Sequence, residues 1–313
     1  MKTFLEQDIE SFKLLSGKKF LITGGKGMLG SSFVNQLSKN VKNAKVYSFD
    51  KKNLDVSNIN SVNKYLDIQP DYIIHCAALV NADECERNYE NGKKIIVDGT
   101  QNIIDFAKKT NSKIFYPQSF LIYNYTNEII DENTKPMPLN EYGKLKLEAE
   151  NSILRSSLEY LSIRMGGFFG GFQKDNNFVG KITTHISNLI KNKKKSIEIG
   201  NRVWQPSYTE DLAYNSLLLL SKEKIGQYCM ASHGSCSFFD LTKKIINILK
   251  IGNLFEVNSV SAEILAKKEI AVRPISAIMN NNKLIKEKLD RQRKWEVSLE
   301  EYLDSPYFRN LFK

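Results

Sequence analysis

No apolar run approaches the roughly 18 residues of a membrane-spanning helix anywhere in the 313-residue chain. The N-terminal stretch MKTFLEQDIESFKLL carries acids early and has no apolar signal core, which predicts a soluble, cytoplasmic protein. Cysteine is scarce. Cys76, Cys85, Cys229 and Cys236 show no metal-ligand spacing, and only three histidines could assist them, so the thiols read as reduced and structural and no metal is expected. Arginine-rich or aromatic readout elements are also missing. The net charge of +10 comes mostly from dispersed lysines, denser only at Lys191–Lys195, which reads as a solvated helix end. Nucleic acid is therefore not an expected partner, whereas a basic surface suits an anionic small substrate. Repeats, low-complexity tracts and an obvious linker are absent.

What is present is enough apolar residue, 42% of the chain, to fill one large α/β core and a smaller lobe. The organising stretch is KKFLITGGKGMLGSSF, residues 18–33. Phe20, Leu21 and Ile22 run continuously, as a parallel strand buried on both faces requires. Gly24, Gly25, Gly27 and Gly30 then lead into an amphipathic segment, so the order reads strand, turn, helix. Glycines here permit positive φ, close approach of backbone N–H groups to a pyrophosphate, and tight helix packing. The helix N-terminus, Met28 and Leu29 included, adds free donors and partial positive charge. Two spacings fit, Gly25-x-Gly27-x-x-Gly30 and Gly24-x-x-Gly27-x-x-Gly30.

Residues 1–17 place Leu5, Ile9 and Phe12 on one helical face and read as an N-terminal extension. After the turn, a second strand ends at Asp50, spaced to accept hydrogen bonds from an adenosine ribose. Leu54-Asp55-Val56, a short helix, and the strand Tyr72–His75 follow, the last leading into Cys76-Ala77-Ala78, where small residues let a flat ligand lie on the backbone. Helix Gly99–Thr110 and strand Lys113–Tyr116 continue the alternation. That alternation predicts a Rossmann-type, doubly wound parallel sheet with helices on both faces. We place the dinucleotide-binding domain at residues 18–170 and a mostly substrate-binding lobe at 171–313, with segments returning to the first domain. Gly166, Gly167, Gly170 and Gly171 mark the crossing over the cofactor.

Tyr142 and Lys146 fall at i and i+4 on one helix face. An ammonium beside a phenol favours its phenolate, so the pair reads as proton-transfer machinery or, more plainly, as a surface pair. Arg202 and Arg273 offer bidentate forks to a diphosphate, and Asn177 is a further substrate candidate.

Together, the glycine turn, Asp50, Asp55-Val56, Cys76-Ala77-Ala78, Ser119 four residues before Tyr123, and Tyr142-x-x-x-Lys146 resemble the extended short-chain dehydrogenase/reductase family. Within it the chain is most similar to dTDP-4-dehydrorhamnose reductase-like nucleotide-sugar 4-ketoreductases, through Pro206–Ala213, the Gly226–Ala231 strand, Arg273-Pro274 and Trp295. The resemblance favours the Gly24, Gly27, Gly30 spacing. It implies Tyr142 as general acid or base, Lys146 on the nicotinamide ribose, Ser119 on the reacting oxygen, Asp55 and Val56 around the adenine, Ala77, Ala78 and Met165 along the cofactor, and a homodimer. The cofactor is expected to be NAD, from Asp50, with NADP possible because Lys51 and Lys52 follow.

Missing residues narrow the chemistry. Phe120 and Leu121 stand where family dehydratases carry acids. Leu121 also replaces the cysteine of related epimerase-reductases, and no histidine lies near Asn177. Hydride transfer at one sugar carbon is what remains; the resemblance implies a carbon-4 ketoreductase serving surface polysaccharide synthesis, a 4-dehydrogenase or 4-epimerase with retained NAD(H) is the alternative, and a non-catalytic dinucleotide-binding regulatory subunit another. Ile96 departs from the family's usual asparagine in the proton relay.

Overall fold

In a computed structural model of the chain, residues 4–124, 129–267 and 269–312 are described. Six parallel strands form the central sheet in the order Gly226–Met230, Tyr160–Met165, Lys113–Ser119, Tyr72–His75, Lys19–Thr23, Lys45–Phe49. Phe20–Thr23 and Tyr72–His75 are buried along their whole length. Burial on both faces is why their sequences are continuous apolar runs without alternation.

Helices Met28–Asn40 and Thr209–Ser221 cover one face, their Phe33, Leu37, Leu212, Leu217 and Leu218 joining the sheet's Phe20 and Ile22 in one core. Gly99–Thr110 and Glu141–Leu154 cover the other, through Ile103, Ile104, Leu145, Ala149 and Ile153. A fully buried aliphatic side chain contributes about 1.5–3 kcal/mol. The unbroken run Leu217–Leu220 is buried all round, so Thr209–Ser221 is an interior helix and carries no polar stripe. A third core, around Trp204, Trp295, Leu299, Tyr302 and Phe308, belongs to the C-terminal half. There Ser196–Gly200 pairs parallel with Glu256–Val260, and Val203–Trp204 antiparallel with Cys236–Ser237.

The N-terminal extension is helical over Phe4–Phe12, yet its inner face is not the expected one. Phe12 is buried, but Ile9 is 53% exposed and Asp8 takes the inward position; the side chain of Leu5 lies outside the described residues. The reason is electrostatic. Asp8 receives both Nε and Nη2 of Arg291, at 2.7 and 2.8 Å, and the Tyr214 hydroxyl at 3.1 Å. A bidentate, charge-assisted pair outweighs burial of one isoleucine when the acid is the residue that reaches. Lys191–Lys195 is exposed at the end of helix Phe178–Lys191. The four cysteines are unpaired, and no helix among the described residues is long and apolar enough to cross a membrane.

Candidate active site

The C-terminal ends of the sheet strands gather the site. Strand Lys19–Thr23 runs into Gly24, whose φ of +64° and crowded position both demand glycine: a Cβ there would lie 2.9 Å from the Ala77 backbone nitrogen and the Cys76 carbonyl carbon. Thr23 fixes that contact, its hydroxyl accepting the Ala77 N–H at 3.1 Å. No side chain caps the helix that begins at Met28, which leaves its first-turn N–H groups for an external acceptor. Gly171 packs on Met28, a built Cβ there lying 3.4 Å from the Met28 side chain, so the end of the Gly166–Gly171 segment lies against the start of that helix. The residues thus fit a dinucleotide: a cradle that a Cβ would fill and a helix start without a cap. Gly24→Ala is expected to weaken NADH binding by about tenfold or more, through positive φ and backbone collision together. Fluorescence titration of NADH checks it, and unchanged affinity would remove the turn from the site.

The catalytic candidates are brought together. Asn140 caps helix Glu141–Leu154 by accepting the Gly143 N–H at 2.8 Å. The helix can lie against the Phe120–Ile122 turn only because residue 143 is glycine, since a Cβ would stand 2.2 Å from the Leu121 carbonyl oxygen. This approach brings Ser119, whose hydroxyl accepts the Leu121 N–H at 3.1 Å, close enough to the Tyr142 phenol to act against the rise of its pKa. Tyr142 is 8% exposed and Lys146 is 3% exposed. Met165 lies beside Ser119 in the sheet register.

One electrostatic expectation is corrected. Lys146 does not draw the phenol toward ionisation. Burial pushes the Tyr142 phenol up to about 12, against the lowering effect of Ser119. Burial also pulls the Lys146 ammonium down to about 7, opposed by Glu150. The lysine side chain turns under the helix: Nζ donates to the Pro117 carbonyl at 2.8 Å and sits 3.8 Å from the centre of the Tyr116 ring. Helical spacing aligned the two residues, but desolvation outweighs their mutual effect.

Beneath Lys146 lies a polar chain that sequence spacing did not reveal. His75 contacts Thr23 Oγ1 through Nδ1 at 2.8 Å and Thr100 Oγ1 through Nε2 at 3.2 Å. Burial, then the Lys146 charge, lowers the imidazole to about 3, so it is neutral. Thr100 in turn donates to the Ile96 carbonyl at 2.6 Å. Ile96 itself occupies a π-helical turn, Lys94–Asp98, a distortion frequent at functional sites. A histidine and a threonine in apolar surroundings were the available signal.

The remaining candidates already hold protein partners. Asp50 pairs with Lys26 of the glycine turn, which lowers its pKa. Asp55 accepts the Ser57 N–H and hydroxyl at 3.0 and 2.8 Å, while Val56 is buried against Gly99. Asn177 is turned inward, its amide donating to the Phe168 carbonyl at 2.7 Å. Arg202 and Arg273 are not open forks. Arg202 grips Glu269 through both terminal nitrogens, at 2.6 and 3.0 Å, and Arg273 donates to Asp83 at 3.0 Å. The expectation treated each arginine alone, and the acid that holds each, Glu269 for Arg202 and Asp83 for Arg273, lies 67 and 190 residues away in sequence.

Known proteins share this fold and sequence pattern. Bovine methionine adenosyltransferase 2 subunit beta is 26% identical over 208 residues, 64% of this chain and 61% of that protein, so the match spans under two thirds of the relative. The Bacillus subtilis spore coat polysaccharide biosynthesis protein SpsK is 25% identical over 289 residues, covering 91% and 96% of the two chains. The crystal structure of dTDP-4-dehydrorhamnose reductase from Bacillus anthracis in complex with NADP superposes with a TM-score of 0.81 at 27% identity, over 91% of this chain and 98% of that one. The model of the RmlD substrate binding domain matches residues 18–307, and the chain belongs to that family, within the extended short-chain dehydrogenase/reductases.

Proposed function

We propose that the protein is an NAD(P)-dependent oxidoreductase that reduces a keto group at carbon 4 of a nucleotide-activated sugar, in surface polysaccharide synthesis. The observation that carries this reading is the buried Tyr142 phenol close to Ser119, with the buried Lys146 one turn further along the same helix. When bound, the dinucleotide supplies or accepts the hydride. Gly24–Gly30 and the Met28 helix start would hold its pyrophosphate, and Ala77, Ala78 and Met165 its length.

The chain's own residues manage orientation and protons. Ser119 orients the substrate oxygen. A phenol raised to about 12 is fully protonated near neutral pH, which suits it to donate as charge develops on that oxygen. Lys146, released from Pro117, would reach the nicotinamide ribose and bring positive charge to the donor's side. With Phe120 and Leu121 in place of an acid and a cysteine, neither position supplies a group for removing a proton from a neighbouring carbon. Asp50 disfavours a 2′-phosphate and Lys26 beside it favours one, so both NAD and NADP are accommodated.

A second reading, a dinucleotide-binding regulatory subunit, draws on the bovine relative's name and on Ile96 at the π turn. Absorbance and mass spectrometry of the purified protein identify any retained nucleotide. Oxidation of added NADH or NADPH with dTDP- and UDP-4-keto sugars then separates the readings: turnover supports the reductase, and tight cofactor binding without turnover supports the subunit.

A further inference from the structure

Glu269 is the feature of the substrate side that the reductase reading leaves unexplained. Its carboxylate closes the fork of Arg202, and its Oε2 lies 3.9 Å from Nη1 of Arg273. Glu269 thus sits between two guanidinium groups, closing the fork of Arg202 and standing at the edge of Arg273, which itself donates to Asp83 at 3.0 Å and to the Ala271 carbonyl at 2.8 Å. Their side chains are 13% and 28% exposed, and that of Glu269 is 19% exposed. Nε of Arg202 is buried with no acceptor among the described residues. The carboxylate thus leaves part of the local donor capacity unused.

The segment is tied to the catalytic helix. The amide of Asn140, which caps that helix two residues before Tyr142, donates to the Val272 carbonyl at 2.7 Å. The Ala271 N–H donates to Asp83 at 3.1 Å, and the Val203 N–H to the Ile275 carbonyl at 3.0 Å. These ties hold the backbone whether or not Glu269 keeps its partner.

We propose that Glu269 stands in for the substrate's diphosphate between Arg202 and Arg273, and so selects ligands with two linked phosphates. The inference rests on the nucleotide-sugar reading above. A carboxylate or single phosphate that displaces Glu269 exchanges one fork contact for another and leaves the glutamate's charge unpaired nearby. A diphosphate carries two charges on a longer frame. It can engage Arg202, including Nε, and Arg273 together, which offsets the release of one carboxylate. Glu269 therefore raises the threshold for binding and makes the second phosphate decisive.

Calorimetric titration of the full chain with UDP and UMP, at saturating NAD to fill the glycine turn, tests this. The native protein is expected to prefer UDP. Glu269→Gln should tighten both ligands, UMP by about tenfold and UDP by less, so that the preference narrows. Glu269→Asp, which keeps the charge and shortens the reach, should move the same way, and thermal melts report whether each variant is folded. Arg202→Gln should erase the preference. Equal or weaker binding in the folded glutamate variants would make Glu269 a structural brace and overturn the proposal. Unaltered UDP binding in Arg202→Gln would overturn the location of the subsite. No keto sugar is used, so failure of hydride transfer would sink the reductase reading and leave this result standing.

Discussion

Tyr142→Phe is expected to lower turnover by about a hundred- to ten-thousand-fold while leaving NADH affinity nearly unchanged. The ring fills the same buried space, so packing is conserved, and the glycine turn and Lys146 are untouched. What disappears is one hydroxyl. It lies close to Ser119 and carries the proton that the proposed chemistry delivers to the reacting oxygen. Loss of one neutral hydrogen bond made by that hydroxyl would account for about 1 kcal/mol. A hundred- to ten-thousand-fold effect corresponds to about 3–5 kcal/mol of barrier, so a result in that range belongs to proton transfer. Steady-state kinetics with a 4-keto nucleotide sugar, paired with NADH fluorescence titration, measures both quantities. Retained turnover would end the assignment of Tyr142 as the acid.

The second large effect is on stability, and it comes from the same helix. Glu150 follows Lys146 by one turn, is fully buried, and meets Arg164 of the neighbouring strand at 3.3 Å. Ser162 donates to its other oxygen at 2.6 Å, and Arg164 also donates to the Tyr123 hydroxyl at 2.8 Å. Glu150→Ala strands a buried guanidinium, and removing one member of such a pair costs about 3–5 kcal/mol. Global stabilities run at about 5–15 kcal/mol, so this single change removes a large share. Urea unfolding monitored by circular dichroism should show it. Replacing both residues, with Glu150→Met and Arg164→Met, should recover most of the loss, because the apolar pair leaves no charge to satisfy. If the double variant is as unstable as the single one, packing and not the orphaned charge is responsible. Glu150 also opposes the desolvation of Lys146, so the single variant is expected to lower the lysine's pKa further.

The parallel sheet was legible because its strands are continuous apolar runs separated by helical patterns, and the period of each element survives in the sequence. Gly24 and the Tyr142–Lys146 pair were legible for a similar reason, since both depend on spacing within one short segment. Asp8, Glu269 and Glu150 were not. Each owes its position to a partner in a different element, Arg291, Arg202 or Arg164, and nothing local distinguishes a paired acid from a solvated one. The direction of the Tyr142 shift was lost for the same cause: helical spacing shows which residues are neighbours, whereas burial by the rest of the fold decides what that neighbourhood does to a proton.

Strand Gly226–Met230 completes the sheet beside Tyr160–Met165, across sixty intervening residues. During synthesis the first 170 residues can assemble five strands, but they leave the last one with an unpaired edge bearing buried residues such as Leu161 and Ile163. That edge is a template for any extended chain until residue 230 emerges. The nascent protein is thus exposed to wrong pairing for as long as the ribosome takes to make the intervening segment. The long helix Thr209–Ser221, made just before the closing strand, delivers that strand to the open edge.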